Sequence, residues 1–298
     1  MGLHQRPKRL SPRFFYDAAG SALFRQITEL DAYYVGRTER AILKQRGRDI
    51  VAWIKPESVL FEPGAGDCVK VELLLAHAHA LRGYLAQDIS GAALRQGTAR
   101  LRQRFPNLQL RNLTGDFSRL APREVRGDYT GPVCVFFPGS TLGNFEPHDA
   151  VALLRRFRAI AGDAGQLLLG VDLVKDRAVL ELAYNDPEGV TAAFNLNLLQ
   201  RLVREAGAHI ELDAFVHEAV FNAQHGRIEM WLRARRATTI ELSDEHIAFA
   251  PGEGICTEYS YKYRESQLQQ MGEQAGFRLE RVFTDERSWF AVAAFAAH

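Results

Sequence analysis

The sequence lacks the features that mark a disulfide-stabilised, membrane-spanning or nucleic-acid-binding protein. Its three cysteines, Cys68, Cys134 and Cys256, have neither CxxC spacing nor an even number, and they fit a reducing cytoplasm. No apolar run approaches the roughly 20 residues that a membrane-spanning helix needs, and residues 1–9 lack the apolar core of a secretory signal. The formal net charge is +1, so bulk charge attracts neither nucleic acid nor an anionic membrane. We therefore expect a cytoplasmic protein that binds neither, and we predict a monomer.

A metal site is not expected either. His77 and His79 flank Ala78 on a predicted helix, so their side chains point to different sides, and we predict no bound metal. The chain has 298 residues, of which 47% are hydrophobic and 24% charged. That composition is typical of a globular protein with one large or two modest domains.

One stretch of the chain carries most of the information. Residues 59–66 read Val-Leu-Phe-Glu-Pro-Gly-Ala-Gly, an apolar strand that runs into a Gly-x-Gly turn and then a helix. Such a turn lets the backbone approach a ligand, and an acidic residue about 20 positions on, here Asp88, can hold ribose hydroxyls. Val69 stands where a dinucleotide-binding fingerprint has its third glycine. Because that glycine is missing, we favour S-adenosylmethionine as cofactor over NAD.

Predicted strands and helices alternate from residue 59 onward. Alternation of this kind is typical of parallel strands joined by helical crossovers. The hydrophobic pattern predicts strands at 59–63, 83–87, 108–112, 132–137 and 166–173, and helices at 69–81, 91–103 and 147–161.

The end of the chain distinguishes two fold classes. Residues 265–275 form an amphipathic helix, and two strands, 277–283 and 289–295, follow with a short polar link between them. Strands joined by so short a link are expected to be antiparallel. Five parallel strands with a terminal antiparallel hairpin are typical of class I methyltransferases, whereas a nicotinamide-binding sheet has no such hairpin. We therefore predict an α/β fold with a Rossmann-like, class I methyltransferase sheet.

The region before that helix breaks the alternation and predicts a separate α+β lobe that binds the substrate. The predicted domains are N-terminal helices contributing to the substrate lobe (1–50), an S-adenosylmethionine-binding domain (51–175), the inserted substrate domain (176–264) and a C-terminal helix and hairpin (265–298). Inside the insertion, the pattern predicts helices at 177–184 and 190–206 and strands at 211–215, 217–222, 227–235, 238–242 and 258–263. We interpret residues 244–246 as a loop.

Several motifs follow one another from residue 15 to about residue 262, and their combination is specific. They are Phe15-Tyr-Asp-Ala-Ala-Gly-Ser-Ala-Leu-Phe24, Tyr33-Tyr34 with Arg37 and Glu39, Pro138-Gly-Ser-Thr-Leu-Gly-Asn144, Gly170-Val-Asp-Leu-Val-Lys175, Tyr184-Asn-Asp-Pro-Glu-Gly-Val-Thr191 with Phe194-Asn195, Arg227-Ile-Glu-Met-Trp-Leu-Arg233, and Thr257-Glu-Tyr-Ser-Tyr-Lys262. In these motifs the chain resembles the histidine Nα-methyltransferases of the ergothioneine pathway. The resemblance implies trimethylation of the α-amine of free L-histidine, with S-adenosylmethionine, to histidine betaine (hercynine), the first step towards ergothioneine.

The resemblance also implies roles for individual residues. Glu258 and Ser260 match the pair that grips the imidazole, while Asn144 and Tyr184 match residues that hold the carboxylate end. No residue is assigned as a chemical catalyst; Asn144, Tyr33 and Tyr184 are expected to position the substrate. The substrate-binding candidates are Tyr16, Phe24, Tyr33, Thr141, Asn144, Tyr184, Met230, Glu258 and Ser260. The cofactor-binding candidates are Glu62, Gly64, Gly66, Lys70, Asp88, Asp116, Phe117 and Gly139.

The chemistry of methyl transfer is compatible with a site that has no strong base. The cofactor brings the electrophile, so the protein must orient and desolvate the nucleophile. That nucleophile is a neutral amine, and its proton can leave through water or a tyrosine. Glu258 and Ser260 are two positions apart on a predicted strand, so they point to one face and can meet both ring nitrogens. The same alternation is also the pattern of an ordinary exposed sheet face.

Three different functions stay open at this point. The glycine turn at residues 62–67 departs from the serine- and threonine-bearing loop expected for the family. A methyltransferase of the same fold acting on another amino acid or amine is therefore the nearest rival. Substitutions that we associate with a tryptophan-like substrate, at Met230 and Glu258, are absent, which argues against it. The second alternative function is that of a nicotinamide-dependent oxidoreductase, and the third is that of a non-catalytic ligand-binding protein.

Overall fold

The computed structural model describes residues 2–78 and 80–298; Met1 and His79 lie outside the described residues. The chain divides into two compact units. The first unit joins the N-terminal segment through Arg37 to Val174–Lys262, and the second joins Thr38–Leu173 to Tyr263–His298. The predicted boundaries lay at residues 50, 175 and 264, so residues 38–50 belong to the second unit instead of the substrate lobe.

The described residues form α-helices, β-strands and short 3-10 helices. In chain order, the α-helices are α1 (Ala18–Glu29), α2 (Tyr34–Trp53), α3 (Val69–Leu75), α4 (Gly91–Arg104), α5 (Pro122–Arg126), α6 (Pro147–Ala161), α7 (Arg177–Leu182), α8 (Val190–Ala206) and α9 (Glu265–Gln274). The strands are β1 (Lys8–Arg9), β2 (Val59–Pro63), β3 (Gly83–Asp88), β4 (Gln109–Thr114), β5 (Val133–Phe137), β6 (Gln166–Asp172), β7 (Phe215–Asn222), β8 (Arg227–Ala234), β9 (Thr238–Leu242), β10 (Glu245–Phe249), β11 (Gly254–Tyr261), β12 (Phe277–Thr284) and β13 (Phe290–Ala297). The 3-10 helices cover Gly2–His4, Pro12–Phe15, Thr141–Asn144 and Leu212–Ala214.

A seven-stranded sheet forms the centre of the second unit, in the order β12-β13-β6-β5-β2-β3-β4. Strands β2 to β6 pair in parallel, while β13 runs antiparallel to both β6 and β12. Every residue of β5 and β6 is buried. This burial matches the apolar sequence of β5 and of the middle of β6, because helices cover both faces of such a sheet. The prediction of a parallel sheet with a terminal antiparallel hairpin is confirmed.

The first unit contains a four-stranded sheet in the order β1-β11-β8-β7. Strands β11, β8 and β7 are antiparallel neighbours, and the two-residue β1 adds in parallel to β11. Helix α8 packs against β7 and β8 and against α1. A separate hairpin is formed by β9 and β10. This mixture of helices and antiparallel strands is the predicted α+β architecture.

Four local predictions were wrong. The strand predicted at 258–263 begins four residues earlier, since β11 covers Gly254–Tyr261. Helix α3 ends at Leu75 rather than at residue 81, because the chain must return to the start of β3 at Gly83. The strand predicted from residue 211 begins at Phe215, after the 3-10 turn at Leu212–Ala214. Residues 245 and 246, interpreted as a loop, belong to β10, which pairs with β9 across a tight turn.

None of the helices in the described ranges combines the length and the hydropathy needed to cross a membrane.

Candidate active site

The glycine turn after β2 is tied to the end of β3. Gly64 and Gly66 have φ angles of 73° and 55°, in the left-handed region that glycine adopts without strain. The Gly66 N–H donates to Asp88 Oδ2 at 2.9 Å, and the Ala65 N–H donates to the Gln87 carbonyl at 2.8 Å. A Cβ added at Gly66 would meet no atom within 4 Å, so this backbone is open to the approach of a ligand.

The Asp88 carboxylate is oriented by two backbone donors. Its Oδ2 accepts from Gly66 N, and its Oδ1 accepts from Ser90 N at 2.8 Å. Ser90 in turn caps α4 by accepting from the Ala93 N–H. Each carboxylate oxygen has a second lone pair, so this arrangement can still accept hydrogen bonds from a ribose diol.

Asp116 and Phe117 follow β4 at the same edge of the sheet. Asp116 Oδ1 accepts from both Ser118 N, at 2.9 Å, and Ser118 Oγ, at 2.7 Å. The Phe117 ring packs edge-on against Phe137, with 5.4 Å between centroids. A Cβ added at Gly64 would come within 3.8 Å of the Phe117 ring. An apolar ring and an acid beside the glycine turn fit the adenine end of an adenosine cofactor.

The buried carboxylate of Glu39 holds the loop after β5. Glu39, on α2, is fully buried. Its Oε1 accepts from the Gly139 N–H at 2.8 Å, and its Oε2 lies 2.7 Å from Lys70 Nζ. A Cβ added at Gly170 would lie 2.1 Å from Glu39 Oε1, so the central strand β6 requires glycine at this point. Lys70, a predicted cofactor residue, therefore neutralises a buried acid and joins α3 to α2.

Glu62 is also engaged inside the second unit. It is 1% exposed and accepts a hydrogen bond of 2.5 Å from the Tyr84 hydroxyl. Burial raises the pKa of Glu62 to about 8, while the Tyr84 hydrogen bond and the charge of Lys70 act in the opposite direction. This placement gives Glu62 a supporting position under the glycine turn.

Thr141 and Asn144 lie in the 3-10 helix that follows β5. Thr141 Oγ1 donates to the Pro138 carbonyl at 3.0 Å. Ser140, at the start of this helix, accepts from the Asp172 N–H at 3.0 Å and donates its own N–H to the Gly170 carbonyl. Asn144 is thereby held at the carboxyl end of β5, the edge at which open parallel sheets bind ligands.

The first unit places the predicted ring-binding residues on neighbouring strands. Glu258 on β11 is directly opposite Met230 on β8, and Ser260 is opposite Ile228. A bulge between Cys256 and Glu258 shifts the pairing register of β11 and β8 by one residue. As a result, Cys256 lies opposite Trp231, and Glu258 lies opposite the next residue along β8, Met230. Burial raises the pKa of the Glu258 carboxyl to about 7, against the opposing charge of Lys262.

A buried lysine, for which the sequence predicted no role, contacts two of the predicted residues. Lys262, 2% exposed, donates from Nζ to the Tyr184 hydroxyl at 3.0 Å and to Ser260 Oγ at 2.8 Å. Tyr184 Oη and Ser260 Oγ are themselves 2.9 Å apart. The sequence could have indicated this placement of Lys262, because Glu258, Ser260 and Lys262 are every second residue of one motif and such residues share a face of an extended segment.

Aromatic side chains continue this site within the first unit. The Tyr33 ring is edge-on to Tyr184, at 6.1 Å, and to Phe24, at 6.4 Å. Phe24 is followed by Tyr16 at 5.6 Å, and both contact Phe194. Edge-on packing of this kind favours a defined arrangement of rings over a loose apolar patch.

The backbone at Tyr184 is attached to the edge strand β7 by side chains. The amide of Asn185 both accepts from the Ala219 N–H, at 3.0 Å, and donates to the Ala219 carbonyl, at 2.8 Å. His217 Nε2 lies 2.7 Å from the Tyr184 carbonyl, so this nitrogen carries the hydrogen. His217 Nδ1 accepts from the amide of Asn195 at 2.8 Å, and burial lowers the pKa of this histidine. These contacts fix the position of Tyr184.

The structure thus groups the predicted residues within each unit. The first unit holds Tyr16, Phe24, Tyr33, Tyr184, Met230, Glu258 and Ser260. The second unit holds Glu62, Gly64, Gly66, Lys70, Asp88, Asp116, Phe117, Gly139, Thr141 and Asn144.

Metal-binding side chains do not cluster in the part of the chain that the structure describes. Within residues 2–78 and 80–298, no three His, Cys, Asp or Glu side chains come together in a way that could hold a metal ion. Of the two histidines considered in the sequence, His79 lies outside the described residues.

The sheet order, the terminal hairpin and the glycine turn facing an acidic strand end define a class I S-adenosylmethionine-dependent methyltransferase. The fold is similar to that of the magnesium protoporphyrin IX methyltransferase of Synechocystis PCC 6803, solved with bound SAH. The TM-score is 0.50, with 14% sequence identity, over 96% of this chain and 98% of that chain. At this identity the likeness concerns the fold alone.

Sequence comparisons identify the family. The family model described as "Histidine-specific methyltransferase, SAM-dependent" matches residues 1–297, and the chain belongs to this family. The chain is 38% identical to the histidine N-alpha-methyltransferase of Mycolicibacterium smegmatis, and the matched region covers 98% of this chain and 91% of that protein. The chain is 36% identical to the histidine N-alpha-methyltransferase of Mycobacterium tuberculosis, over 99% of this chain and 92% of that protein. The chain is an S-adenosylmethionine-dependent N-methyltransferase.

The placement of Asp88 predicts its contribution to cofactor binding. Asp88→Ala should weaken binding of S-adenosylhomocysteine by roughly 1.5–3 kcal/mol, about 10- to 150-fold, because it removes a charged acceptor. Titration calorimetry measures this directly. Ser90→Ala serves as the control, since it removes the cap of α4 but retains the carboxylate. Unchanged affinity in Asp88→Ala would rule out the ribose contact.

The buried Glu62 carboxyl predicts a pH dependence of stability. Its folded pKa of about 8 lies above the ordinary value of 4.5, so the folded state holds the proton more tightly. The Glu62 contribution to the unfolding free energy therefore falls as pH rises between these values, by up to about 1.4 kcal/mol per pH unit. Glu62→Gln removes this slope.

Urea denaturation of both proteins between pH 5 and pH 8 tests this expectation. The unfolding free energy of the parent should fall relative to that of Glu62→Gln as pH rises. The unfolding free energy of the control variant, the exposed Glu286→Gln, should change with pH as that of the parent does. A difference that stays constant over the range means that Glu62 is ionised in the folded state throughout.

Proposed function

We propose that this enzyme transfers three methyl groups to the α-amine of free L-histidine and releases histidine betaine (hercynine), the reaction that begins ergothioneine synthesis. The observation that carries the proposal is the pairing of Glu258 and Ser260 on β11, with Met230 directly opposite. These are the positions at which the chain resembles the histidine Nα-methyltransferases. The family and the relatives of nearly equal length support the same substrate.

The cofactor residues fit the group that the family requires. The open backbone at Gly66, the oriented carboxylate of Asp88 and the Phe117 ring beside Gly64 suit an adenosine moiety. We propose that they hold S-adenosylmethionine, together with Asp116. When bound, this cofactor supplies an electrophilic methyl group on a sulfonium, so the protein needs no covalent chemistry of its own.

Ring recognition would come from the first unit. The Glu258 carboxylate can accept from an imidazole N–H, while the Ser260 hydroxyl can donate to the unprotonated ring nitrogen. A side chain without these groups would leave the half-buried Glu258 carboxylate without its partner, and sites built to hydrogen-bond a substrate group can reject an analogue that lacks it by roughly 10⁴-fold. The Tyr33 and Tyr184 rings, edge-on to each other, would add the aromatic walls.

The amine end is assigned to the loop after β5. Asn144 has a neutral amide, which can hold a carboxylate without placing a cation beside a sulfonium. The nucleophile must be the neutral amine, and its proton can leave through water or a hydroxyl. Gly139 and Thr141 are small, so they leave room for an amine that grows with each methyl group. The third methylation removes the lone pair, and the reaction stops there.

We also propose that the enzyme works as a cytoplasmic monomer. Cys68, Cys134 and Cys256 are all buried free thiols, which suits a reducing compartment. Size-exclusion chromatography with light scattering measures the molecular mass, and a mass other than that of one 33.5 kDa chain would contradict the monomer.

Product analysis tests the proposed reaction. Incubation of the enzyme with S-adenosylmethionine and a mixture of the twenty amino acids should yield trimethylated histidine as the dominant product. Fragmentation mass spectrometry should place all three methyl groups on the α-nitrogen. Methyl groups on the imidazole nitrogens would overturn the assignment of Asn144 and of the ring-binding pair together.

A substitution at Glu258 tests ring recognition. Glu258→Ala should lower kcat/KM for L-histidine by about 10- to 150-fold, because a hydrogen bond to a charged group is worth roughly 1.5–3 kcal/mol. Binding of S-adenosylhomocysteine should be retained, since the cofactor residues belong to the other unit. The matched control is Glu218→Ala, which removes a partly exposed carboxylate from the same sheet. Parental kcat/KM in Glu258→Ala would refute the assignment.

A further inference from the structure

A β-bulge lies immediately before the proposed ring-binding pair. Strand β11 pairs with β8 in antiparallel register as far as Cys256, opposite Trp231. The register resumes at Glu258, opposite Met230, so Thr257 is the extra residue of β11. On the other side of β8, the pairing with β7 continues over its whole length without a shift. The irregularity therefore belongs to β11, at the residue that precedes Glu258.

The bulge decides which face of the sheet carries Glu258. Ile255 lies opposite Leu232, three positions before Glu258. Side chains alternate between the two faces of a regular strand, so residues three positions apart point to opposite faces. Because the bulge inserts one residue, Ile255 and Glu258 instead share a face, the face of Leu232 and Met230.

A regular strand would lose this arrangement. If the register before the bulge continued, Thr257 would take the place opposite Met230. Glu258 would then lie opposite Glu229, on the other face of the sheet. Like charges directly opposite each other on neighbouring strands are also destabilising. The bulge is therefore a condition for the proposed recognition of the ring by Glu258.

The side chain of Thr257 closes the bulge. It is 1% exposed, and its Oγ1 donates to the Met230 carbonyl at 3.1 Å. This hydrogen bond joins the inserted residue of β11 to the residue of β8 that lies opposite Glu258. The Cys256 thiol adds a weaker contact, with 3.9 Å between its Sγ and the Glu258 carbonyl oxygen. Because a buried hydroxyl that loses its acceptor costs free energy, the Thr257 contact favours the bulged register.

The N-terminal strand β1 supports β11 up to the same point. Its last pair joins Arg9 to Cys256, in parallel. The Leu10 N–H then donates to the Cys256 carbonyl at 3.0 Å. Strand β11 is thus held from both sides as far as Cys256, and the bond from the Thr257 hydroxyl to β8 follows directly.

We propose that Thr257 is a positioning residue for recognition of the substrate ring. Its hydroxyl stabilises the bulge that brings Glu258 onto the face of Met230, and it acts on the substrate through Glu258. The inference rests on the proposed function, because it takes Glu258 as the acceptor for the imidazole N–H of L-histidine.

Removal of the hydroxyl should weaken histidine recognition and leave the cofactor site unchanged. Thr257→Val retains the shape of the side chain but loses the donor. Its kcat/KM for L-histidine should fall about 2- to 12-fold, the typical effect of one hydrogen bond. The Kd of S-adenosylhomocysteine should keep its parental value, since the cofactor residues belong to the other unit. Thr257→Ser retains the hydroxyl and should retain the parental kcat/KM.

A double-mutant cycle tests whether Thr257 acts through Glu258. Thr257→Val is introduced into the parent and into Glu258→Ala, and kcat/KM for L-histidine is measured for all four proteins. The loss that Thr257→Val causes in the parent should disappear in the Glu258→Ala background. An equal loss in both backgrounds would overturn the proposal, and so would a parental kcat/KM in Thr257→Val.

Thr238→Val, on β9 of the same unit, provides the control for the substitution itself. The Thr238 hydroxyl is buried and has no hydrogen-bond partner among the described residues, so its loss should leave kcat/KM at the parental value. If Thr257→Val does not fold, as judged by circular dichroism, Thr257→Ala takes its place in the cycle. Failure of that variant to fold as well would contradict a role confined to positioning.

The parent enzyme separates this inference from the proposed function. A parent that methylates L-histidine while the two losses are additive refutes the role of Thr257 alone. A parent that does not methylate L-histidine refutes the proposed function, and with it the ligand on which this inference rests.

Discussion

The arrangement of the second unit depends on burying the carboxylate of Glu39. This single group receives the Gly139 N–H and the Lys70 ammonium, and Gly170 leaves the space it occupies. A buried charge is tolerated only while its partners stay in place, and loss of one partner typically costs several kcal/mol. Helix α2, the start of α3 and the loop after β5 are therefore held in one geometry. The loop that contains Gly139 and leads to Asn144 depends on this geometry.

The first unit also contains a buried charged group, the ammonium of Lys262. Lys262 donates to the Tyr184 hydroxyl and to Ser260 Oγ, and its charge lowers the pKa of Glu258 against the effect of burial. In the second unit the ion pair is satisfied by the protein and sets the backbone. In the first unit, Lys262 holds the Tyr184 and Ser260 hydroxyls in place, and we propose that Ser260 and Glu258 receive the ring of the substrate.

Much of this organisation was predictable from sequence, for identifiable reasons. Alternating strands and helices, a Gly-x-Gly turn and Asp88 are local patterns, and they predicted the parallel sheet and its ligand-binding edge. The spacing of Glu258 and Ser260 predicted a shared face. The role of Glu39 could not be predicted, because its partner Gly139 is 100 residues away in the sequence. Lys262 stands two residues from its partner Ser260, so the sequence did place it beside the predicted ring-binding pair. Strand β10 was missed because pairing with β9, and not a strong local preference, stabilises it.

The attachment of the Tyr184 segment to β7 also affects how easily another chain could add to this sheet. Strand β7 is the outer strand of its sheet, and such strands present unpaired backbone groups on which foreign strands can add. The Asn185 amide occupies the Ala219 N–H and carbonyl as a neighbouring peptide would, and Glu181 takes the Phe221 N–H. The opposite margin is the two-residue β1, too short to template a fibril. The contacts that hold the Tyr184 segment therefore also cover backbone groups of this outer strand on which a foreign strand could otherwise add.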